Sequence, residues 1–174
     1  MLYLIVTLAA LARFAPHPAD FSPAYAALLF GGACLKKRDS IWFPVAVLAV
    51  SDFLLTTAVY GMHFGWADTA DWVGFAAVAV IGWWLRDKIS VKRVVAASLA
   101  GGAAFFIISN FGVWLGGLLY PRNLAGLGAS FVAALPFFGS TLVSSVLFSG
   151  VLFGAYEFYR RRTRRLGHAA ASPQ

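Results

Sequence analysis

Charge is scarce in this chain of 174 residues: 12% of the side chains are charged, 60% are hydrophobic and mean hydropathy is +0.76. Soluble domains carry about 25% charged residues, so a water-facing surface could not be assembled from this composition. Cysteine is nearly absent. The single Cys34 excludes an intramolecular disulfide and a cysteine-built metal cluster. No HExxH, GxSxG, SxxK or Walker sequence occurs, which removes the usual signatures of zinc proteases, serine hydrolases and nucleotide hydrolysis. The chain therefore reads as one all-α, polytopic membrane domain.

A membrane-crossing helix needs about 20 apolar residues, with a usual range of about 17–25. Apolar runs place spans over 2–15, 24–35, 41–60, 72–85, 94–119 and 137–158. The first two and the fourth are short. The final run begins near Ser130, and Pro136 is expected to divide it, because proline sits more easily at a helix start than inside one. The six spans form one domain over 1–159, followed by a basic tail over 160–174 whose last residues, 169–174, are expected to be disordered.

The net charge of +7 is a matter of topology rather than of nucleic-acid binding. Lys36, Lys37 and Arg38, then Arg86, Lys88, Lys92 and Arg93, then Arg160, Arg161, Arg162, Arg164 and Arg165 all fall on alternate connections. These are twelve of the fourteen Lys and Arg residues, so the positive-inside rule puts both termini in the cytoplasm of a bacterial inner membrane. Only Arg13 and Arg122 face outward. The aromatic belt agrees: Tyr3, Trp42, Trp83, Trp84, Tyr156 and Tyr159 fall near inner ends, and Tyr25, Tyr60, Trp66, Trp72, Trp114 and Tyr120 near outer ends. The arginines of the tail would also hold anionic lipid, each contributing about 1 kcal/mol near the surface. Ala10-Leu11-Ala12 resembles a signal-peptide cleavage site, but no positive residue precedes the apolar run, so the first helix is expected to stay uncleaved.

Ionisable and amide groups inside apolar runs are costly, which makes each a candidate for function. Asp52 lies mid-way along the third run and Asn110 in the outer half of the fifth, four residues before Trp114 and so on one face with it. Each could equally bond to a neighbouring helix, Asn110 to Asp52 for instance. The serines and threonines at 140, 141, 144, 145 and 149 are expected to knit the bundle, and the GxxxG pairs Gly112/Gly116 and Gly150/Gly154 to permit close helix approach. Three outer connections are expected to converge: RFAPHPADFSP (13–23), GMHFGWADTAD (61–71) and LYPRNLAGLGAS (119–130). They bring Arg13, His17, Asp20, His63, Asp68, Asp71, Tyr120, Arg122 and Asn123 near Trp66 and Trp114, a pattern of aromatic walls with a few polar groups that suits a small molecule. His17, Asp20, His63, Asp68 and Asp71 are also possible metal ligands, although the histidines stand on separate loops and form no metal-binding motif.

RFAPHPADFSPAYAALLFGGA (13–33), VSDFLL (50–55), SNFGVW (109–114), LYP (119–121) and AALPFFGSTL (133–142) carry a further signal. With these residues the chain resembles a family of small uncharacterised bacterial membrane proteins grouped as candidate transport proteins. More distantly, its size, six helices and cytoplasmic termini are similar to the S components of energy-coupling factor (ECF) transporters. That resemblance implies a vitamin-like ligand near the outer face, a lid between the first two helices, and docking onto a transmembrane coupling protein with ATPase subunits. Two departures stand out: Ala9, Ala10 and Ala12 miss the alanine-xxx-alanine spacing of the docking surface, and residue 2 is Leu where nickel and cobalt components carry His.

The expected function is binding and uptake of a small solute, without a cofactor, a metal or a catalytic residue. Asp52 and Asn110 would form a polar floor, Arg13, His17, His63 and Arg122 the mouth, and Trp66 and Trp114 the walls, with Tyr120 also among the binding residues. A positively edged pocket of this kind suits an anionic or ring-containing nutrient. A membrane scaffold or assembly subunit is the alternative, and an intramembrane enzyme pairing Asp52 with His63 is a third class.

Overall fold

A computed structural model of the chain describes residues 1–15 and 21–170, without the side chains of residues 67 and 164–170. Six helices follow in order: α1 (Leu2–Leu11), α2 (Ala24–Cys34), α3 (Trp42–Leu54), α4 (Trp66–Gly82), α5 (Val91–Gly116) and α6 (Leu124–Ala170). A 3-10 turn, Ala12–Phe14, prolongs α1, a π-helical turn, Leu55–Val59, prolongs α3, and a 3-10 turn, Trp83–Leu85, prolongs α4. No strand occurs among the described residues. Three stretches are long and apolar enough to cross a membrane: Trp42–Val59, Val91–Gly116 and Leu124–Thr163. Leu2–Phe14 and Ala24–Cys34 are shorter apolar helices.

The core is built around α2. Its sequence AYAALLFGGAC is apolar on every side, which suits a helix enclosed by others. Every residue from Ala24 to Ala33 is buried, and α2 packs against all five other helices. Its glycines set the closest approach: a Cβ on Gly32 would lie 2.0 Å from the Ala79 carbonyl oxygen of α4, so the two backbones touch. Phe30 fills the space below, edge-on to Phe153 and Tyr156 of α6.

Helix limits depart from expectation in three places. α4 begins at Trp66 rather than 72, because Asp68 accepts the Gly65 N–H at 2.7 Å and Thr56 Oγ1 at 3.4 Å. An acidic side chain at that position satisfies a donor orphaned at the helix start, so Asp68 is a cap and half of the expected loop is helix. α5 runs from Val91 to Gly116, closed by Gly117 at φ +70°. α6 passes through Pro136 unbroken. Proline there removes one backbone hydrogen bond, whereas a break within an apolar stretch would strand several, and membrane helices tolerate the smaller loss. The same helix continues past 158 to Ala170, and residues 171–174 lie outside the described range.

The expected stitching is present in part. Ser145 Oγ donates to the Ser98 carbonyl of α5 at 3.2 Å, and Ser130 Oγ to the Asn110 carbonyl at 3.4 Å. Gly112 meets Ala70 and Gly116 meets Trp66, holding α5 against α4. Gly150 and Gly154 face open space: among the described residues nothing lies within 4 Å of a Cβ at either, so their GxxxG pair seats no neighbouring helix there.

A polar cluster closes the connection before α3. Tyr3 Oη donates to Asp39 Oδ2 at 2.6 Å, Trp42 Nε1 donates to Oδ1 at 3.1 Å, and Arg38 Nε lies 3.6 Å from Oδ1. The Tyr3 hydroxyl first, then the Trp42 indole, hold the Asp39 carboxyl below its usual range. An unfolded aspartate titrates near about pH 3.9, so this cluster stabilises the fold fully above that pH and the contribution fades as pH falls through the depressed value. Thermal midpoints of the detergent-solubilised protein between about pH 6 and pH 3 should therefore drop for wild type. In Tyr3→Phe the acid branch should be shallower. Identical slopes would show that Tyr3 and Asp39 are not coupled.

Candidate functional site

The 3-10 turn after α1 brings Arg13 against the C-terminal half of α3. Arg13 Nη2 lies 3.0 Å from Asp52 Oδ1, and Nη1 donates to Ser51 Oγ at 3.2 Å. Ser51 Oγ in turn donates to the Leu48 carbonyl at 2.8 Å, which leaves its oxygen lone pairs for the guanidinium. Both charged side chains are nearly enclosed, at 15% and 14% exposure. The guanidinium carbon also sits 5.9 Å from the Phe75 ring centroid, at the outer limit of a cation–π contact.

This ion pair lies in the wall of a cavity of about 510 Å³, a size within the usual range for small-molecule sites. Every helix contributes to it. Arg13 comes from the end of α1, Tyr25 from α2, Asp52 from α3, Thr56 and Tyr60 from beyond α3, Asp71 and Phe75 from α4, Phe105, Phe106, Ser109 and Asn110 from α5, and Phe137, Phe138 and Thr141 from α6. The π-helical turn displaces Leu55 and Thr56 from regular helical register, and both line the space; such turns recur at functional sites. Phe75 stacks on Phe105 at 5.5 Å, Tyr25 meets Phe105 edge-on at 4.9 Å, and Phe106 lies 4.4 Å from Phe138. The result is an aromatic chamber with a charged pair on one side and amide, hydroxyl and carboxyl groups around it.

Of the residues expected at the site or in the connections around it, the structure gathers Arg13, Asp52, Asp71 and Asn110. Asn110 does not bond to Asp52. Its Nδ2 donates to the Phe106 carbonyl one turn back, at 2.8 Å, within its own helix. Arg13 is not a free cation at the mouth but the partner of Asp52. His63 is exposed between α3 and α4, so the partner of Asp52 is an arginine rather than that histidine. His17 and Asp20 lie outside the described residues.

Trp114, Tyr120 and Arg122 do not line the cavity. Trp114 Nε1 donates to the Pro121 and Asn123 carbonyls at 3.2 and 3.1 Å, and Arg122 Nη2 donates to the Gly116 carbonyl at 3.2 Å. Asn123 Oδ1 accepts the Gly126 N–H at 2.8 Å and so caps α6. These side chains build the turn between α5 and α6 and use their polar atoms there. Trp66 is exposed at the start of α4 and packs on Gly116. The walls are phenylalanines instead. Nothing in an apolar run sets such rings apart from core residues, although the pairs at 105–106 and 137–138 flank polar residues on facing helices. Among the described residues no three His, Cys, Asp or Glu side chains converge.

No curated protein and no solved structure matches the chain. Nothing links it to transporters or to S components of energy-coupling factor systems. The expected membership of an uncharacterised family is met: the chain belongs to DUF6580, a family of unknown function, whose model matches residues 1–168.

Proposed function

We propose that this chain is an integral membrane protein that binds a small solute in the aromatic chamber and takes part in its uptake. One observation carries the reading: a nearly enclosed Arg13–Asp52 pair faces a cavity of about 510 Å³ rather than packed side chains. A pair kept only to hold helices together would be covered by its neighbours, whereas this one leaves a side open to a space that also presents Thr56, Ser109 and Asn110. The six-crossing topology with both termini in the cytoplasm belongs to the same reading and rests on the twelve basic residues of alternate connections. The chain has no nucleotide-hydrolysing motif, so a coupling partner with ATPase subunits, or an ion gradient, would supply the energy.

Native mass spectrometry of protein extracted from its own membranes tests this directly. Wild type should retain a small molecule. Asp52→Asn and Asn110→Ala should retain it at least about tenfold less well, since a hydrogen bond to a charged group contributes about 1.5–3 kcal/mol. Retention unchanged in both variants would remove the cavity from the function. A scaffold role is the second reading, favoured by Gly128, Gly139, Gly150 and Gly154, which leave one face of α6 bare for another helix. A stoichiometric membrane partner without ATPases, in place of a bound small molecule, would establish it.

A further inference from the structure

Charge in the aromatic chamber does not balance. Among the described residues that line it, Arg13 is the one cation and Asp52 and Asp71 are two carboxylates, so +1 and −2 leave −1. Arg13 is also engaged already, through Nη2 with Asp52 Oδ1 and through Nη1 with Ser51. Of the basic residues expected at the mouth, Arg122 and His63 do not line the space and leave the sum as it is. Asp71 also interacts within the chain, so what it brings to the chamber is a charge rather than a free oxygen. The walls favour the same sign. Five phenylalanines and two tyrosines line the space, and the face of an aromatic ring is the negative part of its quadrupole. One ring already meets a cation, with the Arg13 guanidinium carbon 5.9 Å from the Phe75 centroid.

We infer that the chamber takes a small organic monocation of the substituted-ammonium class. This deepens the proposed function and rests on its reading of the chamber as a ligand site. A single positive charge cancels the −1 left by the three charged side chains. Its alkyl groups pack on the rings, which attract a cation most strongly once water is gone. Arg13 bonds one oxygen of Asp52, and a carboxylate has two oxygens and about four lone-pair sites. Thr56, Ser109 and Asn110 line the same space and can bond a polar substituent of the ligand. A metal ion fits less well. Hard cations take about six or more oxygen ligands, and among the described residues no three His, Cys, Asp or Glu side chains converge. An anion would meet two carboxylates and the faces of the rings, all of the wrong sign.

Melting midpoints of the full chain in maltoside micelles, at constant ionic strength, read the binding. Choline is titrated beside 3,3-dimethylbutan-1-ol, which has its shape without its charge, and phenyltrimethylammonium beside benzoate. At least one cation should raise the midpoint saturably, while its counterpart fails to do so at about tenfold higher concentration. Asp71→Asn should weaken the apparent affinity for that cation about tenfold or more. Phe138→Leu removes a ring but keeps an apolar side chain, and should weaken it about fivefold or more. If Asp71→Asn does not fold, Phe138→Leu decides. Cations that shift the midpoint no more than their counterparts, or a cation affinity that survives the folded variants unchanged, overturn the inference. The outcome separates from that of the chamber. If native mass spectrometry finds a neutral or anionic molecule retained with Asn110 dependence while both cations fail, the chamber reading stands and the monocation falls. If nothing is retained and no probe binds, both fall.

Discussion

Alanine at Gly32 is expected to abolish accumulation of folded, monodisperse protein. The added Cβ would lie 2.0 Å from the Ala79 carbonyl oxygen and 3.1 Å from the Gly82 Cα, and the reciprocal Cβ on Gly82 would lie 2.5 Å from the Leu29 carbonyl oxygen. These obstacles are backbone atoms, which cannot swing aside as the end of a long side chain can. α2 cannot retreat either, because five other helices surround it. Overpacking a core usually costs about 1–3 kcal/mol, and a clash between two backbones should exceed that range and take up much of a stability of about 5–15 kcal/mol. Gly150→Ala is the control. Nothing lies within 4 Å of a Cβ there, and helix propensity favours alanine over glycine by about 1 kcal/mol, so its melting midpoint should stay or rise slightly. Size-exclusion profiles after stepwise heating read both. A Gly32→Ala protein that melts with wild type would mean that α2 and α4 do not touch through their backbones.

How much of this was legible beforehand depends on the kind of signal. α1, α2 and α3 begin and end within a few residues of the expected places, because their apolar runs are bounded by charged or proline-rich connections. α4 was misplaced because Asp68 and Asp71 look like loop residues, and a cap becomes visible only when the N–H it accepts is known. Asp52 and Asn110 could be found because a polar group in an apolar run is conspicuous. The pairing of Asp52 with Arg13 could not. The two are 39 residues apart, and their contact depends on the 3-10 turn after α1 and on how α1 crosses α3. The phenylalanine walls were invisible for the opposite reason, since a ring facing a cavity and a ring packed in a core have the same sequence signature. Trp114 and Arg122 misled because both types are common at membrane interfaces; here their N–H groups hold a turn.

Breaking the Arg13–Asp52 pair should cost more than removing it. Asp52→Ala leaves a guanidinium at 15% exposure with Ser51 as its hydrogen-bond partner, and Arg13→Ala leaves a carboxylate at 14% exposure beside a phenylalanine-walled space. Stranding one member of a buried pair typically costs about 3–5 kcal/mol, whereas replacing both with apolar groups of similar volume is often neutral or stabilising. The double variant Arg13→Met/Asp52→Leu should therefore melt above either single variant, with a coupling energy of about 2 kcal/mol or more in a double-mutant cycle. If the double variant instead loses the sum of the single losses, the two groups do not act as a unit. The same protein bears on function. Folded but stripped of this pair, it should retain no solute, because the chamber has then lost the Arg13 guanidinium and the Asp52 carboxylate that a ligand would meet. A double variant that is stable and still binds would show that the pair serves the fold alone. A stable one that does not bind would show why a chain so poor in charge places two charged groups beside a cavity: the fold can do without them, and the ligand cannot.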